Sequence, residues 1–328
     1  MAERVLITGG AGFIGLHLVR RLLSDGAEVT VIDNFSRGRA DAELNRLGDQ
    51  IRIVTHDLTE PIPQGMIAGP FDAVYHLAAM VGVQQTAARP AAVLRGNILA
   101  AEHLLRWCER NPPGALFLSS TSEVADGAAR SGAARFPTPE DVPFVLTQPR
   151  LPRASYSLSK IVVETMFLQR AEDFRVRIGR YYNVYGPRMG RAHVIPQFIE
   201  RVLARLDPFP VYGGLQSRAF CYIDDAVAAT VDLARLAVPE PIVTNIGNDR
   251  EEIQIAELAR RLLRLAGAEA RLELLPPPAG SPDRRLPSLA TLRARLPLRP
   301  FVDLGTGLRA TFDWYAAEAV GPSSAQVP

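Results

Sequence analysis

Short apolar runs and amphipathic stretches alternate through the first half of the chain, and their spacing predicts strands separated by helices. Val5–Thr8, Glu28–Ile32, Ile51–Thr55, Ala73–Leu77, Ala115–Ser119 and Val176–Tyr181 are rich in branched and aromatic side chains, as buried strands are. Ile14–Leu23 and Ala92–Glu109 carry apolar residues at helical spacing, and a further helix begins near Tyr156. Strands joined through helices imply right-handed crossovers and a parallel sheet covered on both faces, a doubly wound α/β architecture. The second half is less regular. Val194–Leu206, Ile253–Ala266 and Leu308–Ala317 read as helices between proline-rich breaks at Pro276–Pro278, Pro282 and Pro297–Pro300. Ala125–Arg135, rich in alanine, glycine and arginine, reads as a mobile loop, and Gly321–Pro328 as a frayed tail.

Composition narrows this picture. A chain of 328 residues is long for one packed unit, so two linked domains are expected. Hydrophobic content of 47% with 22% charged residues describes a globular chain. A net charge of +2 gives no reason to expect a nucleic acid or an acidic membrane as partner. No apolar run approaches the ~20 residues of a bilayer span, and Met1–Ile7 lacks the features of a leader, so the cytoplasm is the expected location. Cys108 and Cys221 form no CxxC, and the histidines no HExxH, so no metal site is expected. Lys160 is the single lysine among many arginines. A position that keeps a compact ammonium where arginine is otherwise used is a candidate for chemistry.

Two constellations carry that chemistry. Gly9, Gly12 and Gly15 follow a GxxGxxG spacing between the first strand and first helix. Such glycines permit a tight turn and let the backbone and the helix N-terminus, here Phe13 and Ile14, approach a pyrophosphate. Asp33 ends the second strand, where a carboxylate accepts hydrogen bonds from an adenosine ribose diol and repels a 2′-phosphate. NAD is therefore expected over NADP, with nearby Arg37 keeping NADP as the alternative. Asp57-Leu58, after the third strand, is placed to hold the adenine edge or simply to make a turn.

The second constellation is Tyr156 and Lys160. Their i, i+4 spacing puts both on one helix face. A free phenol is a poor base at neutral pH, and a nearby ammonium with a cationic nicotinamide would favour the phenolate. Upstream, Ser119-Ser120-Thr121-Ser122-Glu123 leaves a strand with hydroxyls suited to a substrate oxygen, and Glu123 adds a carboxylate able to act as acid or base at carbon.

Together these residues resemble the extended short-chain dehydrogenase/reductase family, the group of nucleotide-sugar epimerases, dehydratases and decarboxylases. The resemblance runs from Val5 to about Tyr315. It rests on Thr8-Gly9-Gly10-Ala11-Gly12-Phe13-Ile14-Gly15, Asp33, His76-Leu77-Ala78-Ala79, Ser119 to Glu123, Tyr156 with Lys160, and Tyr181-Tyr182-Asn183-Val184-Tyr185-Gly186-Pro187. It implies a Rossmann domain holding NAD, residues 1–186 with 219–247, and a smaller domain holding a nucleoside diphosphate sugar, residues 187–218 with 248–320. It also implies a homodimer. By position it adds Asn34, Leu77, Ala78, Ala79, Asn97 and Tyr182 to the cofactor contacts, and gives Thr121 a share of the substrate oxygen. Asn183, Arg218 and Arg285 then contact the sugar diphosphate, while His193, Val194 and Tyr212 contact the nucleotide.

Members of this family oxidise C4 of the sugar first, and the pocket decides the fate of the keto sugar. Thr121-Ser122-Glu123 resembles the UDP-glucuronate decarboxylases, as do Gly186-Pro187-Arg188-Met189 and Gln216 to Phe220. 4,6-Dehydratases of the dTDP-glucose kind carry Asp-Glu where this chain has Ser122-Glu123. Ala125-Asp126, the segment Gly190 to Pro196 and Met80-Val81-Gly82-Val83 depart from the decarboxylase pattern. The expected activity is therefore NAD-dependent 4-epimerisation, with decarboxylation as the alternative, dehydration behind both, and a non-catalytic NAD or nucleotide sensor as the reading from another class.

Overall fold

The computed structural model describes residues 2–297 and 299–320. Six strands in chain order, β1 (Arg4–Thr8), β2 (Glu28–Asp33), β3 (Ile51–Thr55), β4 (Ala73–His76), β5 (Ala115–Thr121) and β6 (Arg175–Tyr181), join a seventh, Ile242–Ile246, in one parallel sheet. From one edge the order is Ile242–Ile246, β6, β5, β4, β1, β2, β3. The chain leaves β1 for β2 on one side and later returns to β4 on the other. Crossovers diverging from that point open a crevice at the carboxyl ends of the strands, where doubly wound sheets bind ligands.

Alternation along the strands builds two cores. Leu6, Val74, Leu116, Val176 and Ile178 meet Leu104, Trp107, Val163 and Phe167 on one face. Val5, Ile7, Tyr75 and Phe117 meet Leu16, Val19, Val227 and Val231 on the other, and this core continues through Phe198, Phe209, Leu258 and Tyr315. The regions expected to hold cofactor and substrate thus share one apolar interior. Among the described residues, no helix is long and apolar enough to cross a membrane.

Three helices position the cleft. Helix α1 (Phe13–Ser24) follows the glycine turn. Helices Pro90–Arg110 and Pro152–Leu168 both open with proline in the first turn, where its missing N–H costs nothing. The second of these starts earlier than expected, so Tyr156 lies one turn inside it, held by a formed helix. Small sheets missed by the sequence pattern shape the second half. Phe209–Tyr212 pairs with Leu272–Leu275, and Ser217–Ala219 with Glu252–Gln254 and Arg284–Arg285.

The expected mobile loop at Ala125–Arg135 is corrected. Ser122–Ala125 forms a 3-10 turn running into a helix, Asp126–Arg130, with Ala125, Asp126, Gly127 and Ala128 buried. Alanine is the best helix former, and the polar residue inside, Asp126, has a partner distant in sequence. The expected tail Gly321–Pro328 lies outside the described residues.

A Cβ added at Gly127 would stand 1.6 Å from the Val145 carbonyl oxygen. Helix propensity alone would make Gly127→Ala stabilising by up to ~1 kcal/mol, whereas this overlap predicts destabilisation of about 1–3 kcal/mol. A lowered urea midpoint is expected. An unchanged or raised midpoint would contradict the packed segment.

Candidate active site

A cleft of about 920 Å³ runs along the carboxyl ends of the strands, a volume at the upper end for ligand pockets. At one end lies the glycine turn. Gly9 has φ +74°, and a Cβ there would meet the Ala78 nitrogen at 2.7 Å. A Cβ on Gly15 would stand 2.2 Å from the Gly9 oxygen, so the first turn of α1 packs directly on the loop. Gly12 caps α1 without a side chain, and Gly12, Phe13 and Ile14 line the cleft, presenting first-turn amides to an anion. Arg188 braces this turn, donating to the Gly12 carbonyl at 2.9 Å and to Asp41 at 2.8 Å.

Asp33 is fixed by two backbone donors, Ala11 N–H at 3.0 Å and Phe35 N–H at 2.8 Å, and still lines the cleft. Its spare lone pairs suit a ribose diol. Asp57 accepts from Thr59 and from Asn34, and the Thr59 backbone N–H leads in holding its carboxyl below the usual range. Asn34, Leu58, Leu77, Ala78 and Ala79 also line this stretch. The uncapped helix start, the close-packed glycines and the anchored carboxylate fit a dinucleotide. Asn97 spends its amide inside the protein, bonding both backbone groups of Met80 and the Ser159 hydroxyl. It fixes the cleft wall to the Tyr156 helix.

The Lys160 ammonium lies beneath the other end, buried, donating to the Ser119 carbonyl at 2.8 Å. Burial pulls its pKa down to about 8, opposed by the negative charge of Glu164. Glu164 is itself clasped by Arg180 at 2.8 and 3.0 Å and by the Ser120 hydroxyl. His76 sits below, against Thr8 at 2.8 Å, and burial with Lys160 nearby takes its pKa to about 3, so it is neutral.

At Tyr156 several influences oppose one another. Burial, then the charge of Glu123, pushes its phenol above the usual range. A hydrogen bond with Thr121 and the charges of Arg37 and Arg285 act in the opposite direction. The Lys160 ammonium donates one of its three N–H groups to Ser119.

Beside Tyr156 runs an alternating row of charges. Arg153 grips Glu123 through two N–H groups at 2.7 and 3.2 Å. Arg285 lies 3.4 Å from Glu123 and holds Asp126 at 2.5 Å. Burial works against the Glu123 charge, but Arg153 and then Arg285 keep its carboxyl below the ordinary range. Ser122 is buried behind it and also reaches the cleft. Arg153 and Asp126 were missed from the sequence. Arg153 stands one helical turn before Tyr156 and was legible in principle; Asp126 lay inside the apparent loop.

Of the expected substrate contacts, Asn183, His193, Val194 and Arg285 line the cleft. Asn183 donates to the Ala219 carbonyl at 2.8 Å. His193 precedes the helix Val194–Leu203, and burial followed by the charge of Arg37 lowers its pKa to about 4. Three expected residues lie elsewhere. Arg218 is buried and spends its donors on Ser217, Pro282 and Asp283 carbonyls, stapling the segment before Arg285. Tyr212 is half exposed on the small Phe209–Tyr212 strand, under the Arg201 guanidinium, and does not line the cleft. Tyr182 is turned into the interior, where Gly247 packs on its Cβ. A one-residue step along a strand reverses the face a side chain takes, so Tyr181, not Tyr182, reaches the cleft.

A single lysine makes the buried ammonium directly observable. With ¹⁵N-labelled lysine, the side-chain resonance is expected to titrate near pH 8, well below the ordinary ~10.4. In Glu164→Gln, which removes the charge favouring the ammonium, the midpoint moves lower. A midpoint near that of free lysine would contradict this geometry.

The family model described as NAD dependent epimerase/dehydratase family matches residues 5–247. UDP-glucuronic acid decarboxylase 1 of Danio rerio is 34% identical over 323 residues, covering 96% of this chain and 73% of the relative. A UDP-N-acetyl-alpha-D-glucosaminuronate decarboxylase of Bacillus cytotoxicus is 32% identical over 326 residues, covering 96% of this chain and 98% of the relative. Among solved structures, the UDP-N-acetylglucosamine 4-epimerase of Methanobrevibacter ruminantium, in complex with UDP-N-acetylmuramic acid, superposes with a TM-score of 0.85 at 28% identity, covering 97% of this chain and all of that one. With its glycine turn, anchored Asp33 and Tyr156 one turn before the buried Lys160, this chain belongs to the NAD-dependent epimerase/dehydratase family of nucleotide-sugar enzymes.

Proposed function

We propose that this enzyme oxidises C4 of a UDP-linked uronate and that the resulting 4-keto uronate loses carbon dioxide. The observation that carries this reading is the grip of Arg153 and Arg285 on Glu123, beside Thr121 and Tyr156. A carboxylate held ionised by two guanidiniums is a poor proton donor. That argues against 4,6-dehydration, in which a hydroxyl must leave C6 as water. Decarboxylation asks for no such acid. The named activities of the Danio rerio and Bacillus cytotoxicus relatives support the same reading.

Tyr156 and Thr121 would share the C4 oxygen, with Tyr156 accepting its proton. Bound in the cleft, NAD⁺ would supply the acceptor for the C4 hydride and a positive charge beside the phenol. Thr121 and the now protonated Tyr156 then donate hydrogen bonds to the 4-keto oxygen. When the C5–C6 bond breaks, its electron pair spreads onto that oxygen, where these two donors stabilise it. A proton from solvent would add at C5, and as the hydride returns to C4 Tyr156 would give its proton back to the C4 oxygen, leaving a UDP-pentose.

A second reading, 4-epimerisation, was the one expected from the sequence. It is supported by the likeness to the Methanobrevibacter ruminantium 4-epimerase and by the departures at Met80–Val83 and Gly190–Pro196. It needs the same oxidation, followed by hydride return to the other face of the sugar.

Incubation of the purified enzyme with NAD and UDP-glucuronate is expected to release carbon dioxide and a UDP-pentose. UDP-galacturonate as the product would select epimerisation, and inertness towards UDP-sugars would contradict both. Tyr156→Phe is expected to lower turnover roughly 100- to 10,000-fold while leaving NAD bound. Near-normal turnover would remove Tyr156 from this role.

A further inference from the structure

The cleft arginines divide by what their donors already hold. Arg153 and Arg285 are spent on Glu123 and Asp126, and Arg188 on Asp41. Arg37 is different. It leaves the loop after β2, and its Nη1 donates across the cleft to the Val81 carbonyl at 2.7 Å. A guanidinium has five N–H donors, and this is the one hydrogen bond Arg37 makes among the described residues. No carboxylate there lies within ion-pair distance of it. Arg37 is exposed and lines the cleft, so the remaining donors are open to a ligand.

Its surroundings fix which ligand group they can meet. Two glycines leave room around the guanidinium: a Cβ on Gly190 would stand 3.5 Å from Nη2, and one on Gly82 4.0 Å from Nη1. The charge of Arg37 acts on the Tyr156 phenol and on His193, so it belongs to the reacting end of the cleft. The diol-binding carboxylate, Asp33, points instead at Ala11 and Phe35. Directed to Val81, Arg37 is poorly aimed for a 2′-phosphate beside Asp33. The NADP alternative thereby loses its cation.

We infer that Arg37 is the residue that reads the charge of the sugar, donating its free fork to the C6 carboxylate of a nucleotide-linked uronate while Val81 holds its other edge. This rests on the uronate reading proposed above. Arginine's planar fork matches a carboxylate in two parallel hydrogen bonds, and a sugar without that group leaves the fork unanswered.

UDP-glucuronate and UDP-xylose differ by this carboxylate alone. Their binding is measured by calorimetry on NAD-loaded enzyme carrying Tyr156→Phe, with and without Arg37→Gln. Loss of a charge-assisted contact is expected to weaken UDP-glucuronate roughly 10- to 100-fold and to leave UDP-xylose within about twofold. Arg37→Lys, which keeps the charge and loses the fork, falls between. Equal weakening of both ligands, or loss of bound NAD, would assign Arg37 to a phosphate or to the loop and overturn the inference. Unchanged binding of both would overturn it as well. The reaction is tested separately: selective loss in an enzyme that releases no carbon dioxide would leave the carboxylate contact standing and remove the decarboxylation.

Discussion

An ammonium ion buried under the floor of the cleft is the constraint around which the rest is arranged. Taking Lys160 out of water costs several kcal/mol unless its charge is answered, and the fold answers it twice. The Ser119 carbonyl accepts one of its protons, and Glu164, one turn further along the same helix, supplies negative charge. Glu164 is buried too and needs its own partner. The parallel register of β5 and β6 sets Ser120 directly opposite Arg180, and both reach Glu164. Arg180 then donates to the Glu140 carbonyl, and the Glu140 carboxylate accepts from Asn245 and Thr291. Nearby, Thr138 pairs with Leu286 and Ser288, just past Arg285. One polar network thus runs from Lys160 to the strand that carries Arg285.

The same polar surroundings act on Tyr156. Burial and then the charge of Glu123 raise its phenol above the usual range, while Thr121, Arg37 and Arg285 act in the opposite direction. The arginines around the sugar follow a related economy. Those paired with carboxylates shape the wall and hold Glu123 ionised, while Arg37 keeps donors in reserve.

Local spacing made much of this legible before any coordinates. The glycine turn, Asp33, and Tyr156 with Lys160 are each defined within a few residues, and the strand pattern alone finds six of the sheet's seven strands. What stayed hidden depends on partners far apart in sequence. Asp126 meets Arg285 across 159 residues, so an alanine-rich stretch that reads as a loop is in fact packed. Arg218 and Tyr212 carry suggestive chemistry in sequence, yet carbonyls and a small strand claim them elsewhere. Tyr182 was misplaced by one step of a strand. Arg37 was visible only as the residue keeping NADP an alternative, because nothing local reveals that it reaches Val81.

We propose that in this cleft Tyr156 takes the C4 hydroxyl proton of a nucleotide sugar while the C4 hydride passes to NAD⁺. Rapid mixing of the NAD-loaded enzyme with UDP-glucuronate deuterated at C4 tests it most directly, by following reduced-nicotinamide absorbance. The account predicts a transient rise, slowed by the deuterium and absent in Tyr156→Phe. A transient insensitive to C4 deuteration, or product formed while the nicotinamide is never reduced, would contradict it.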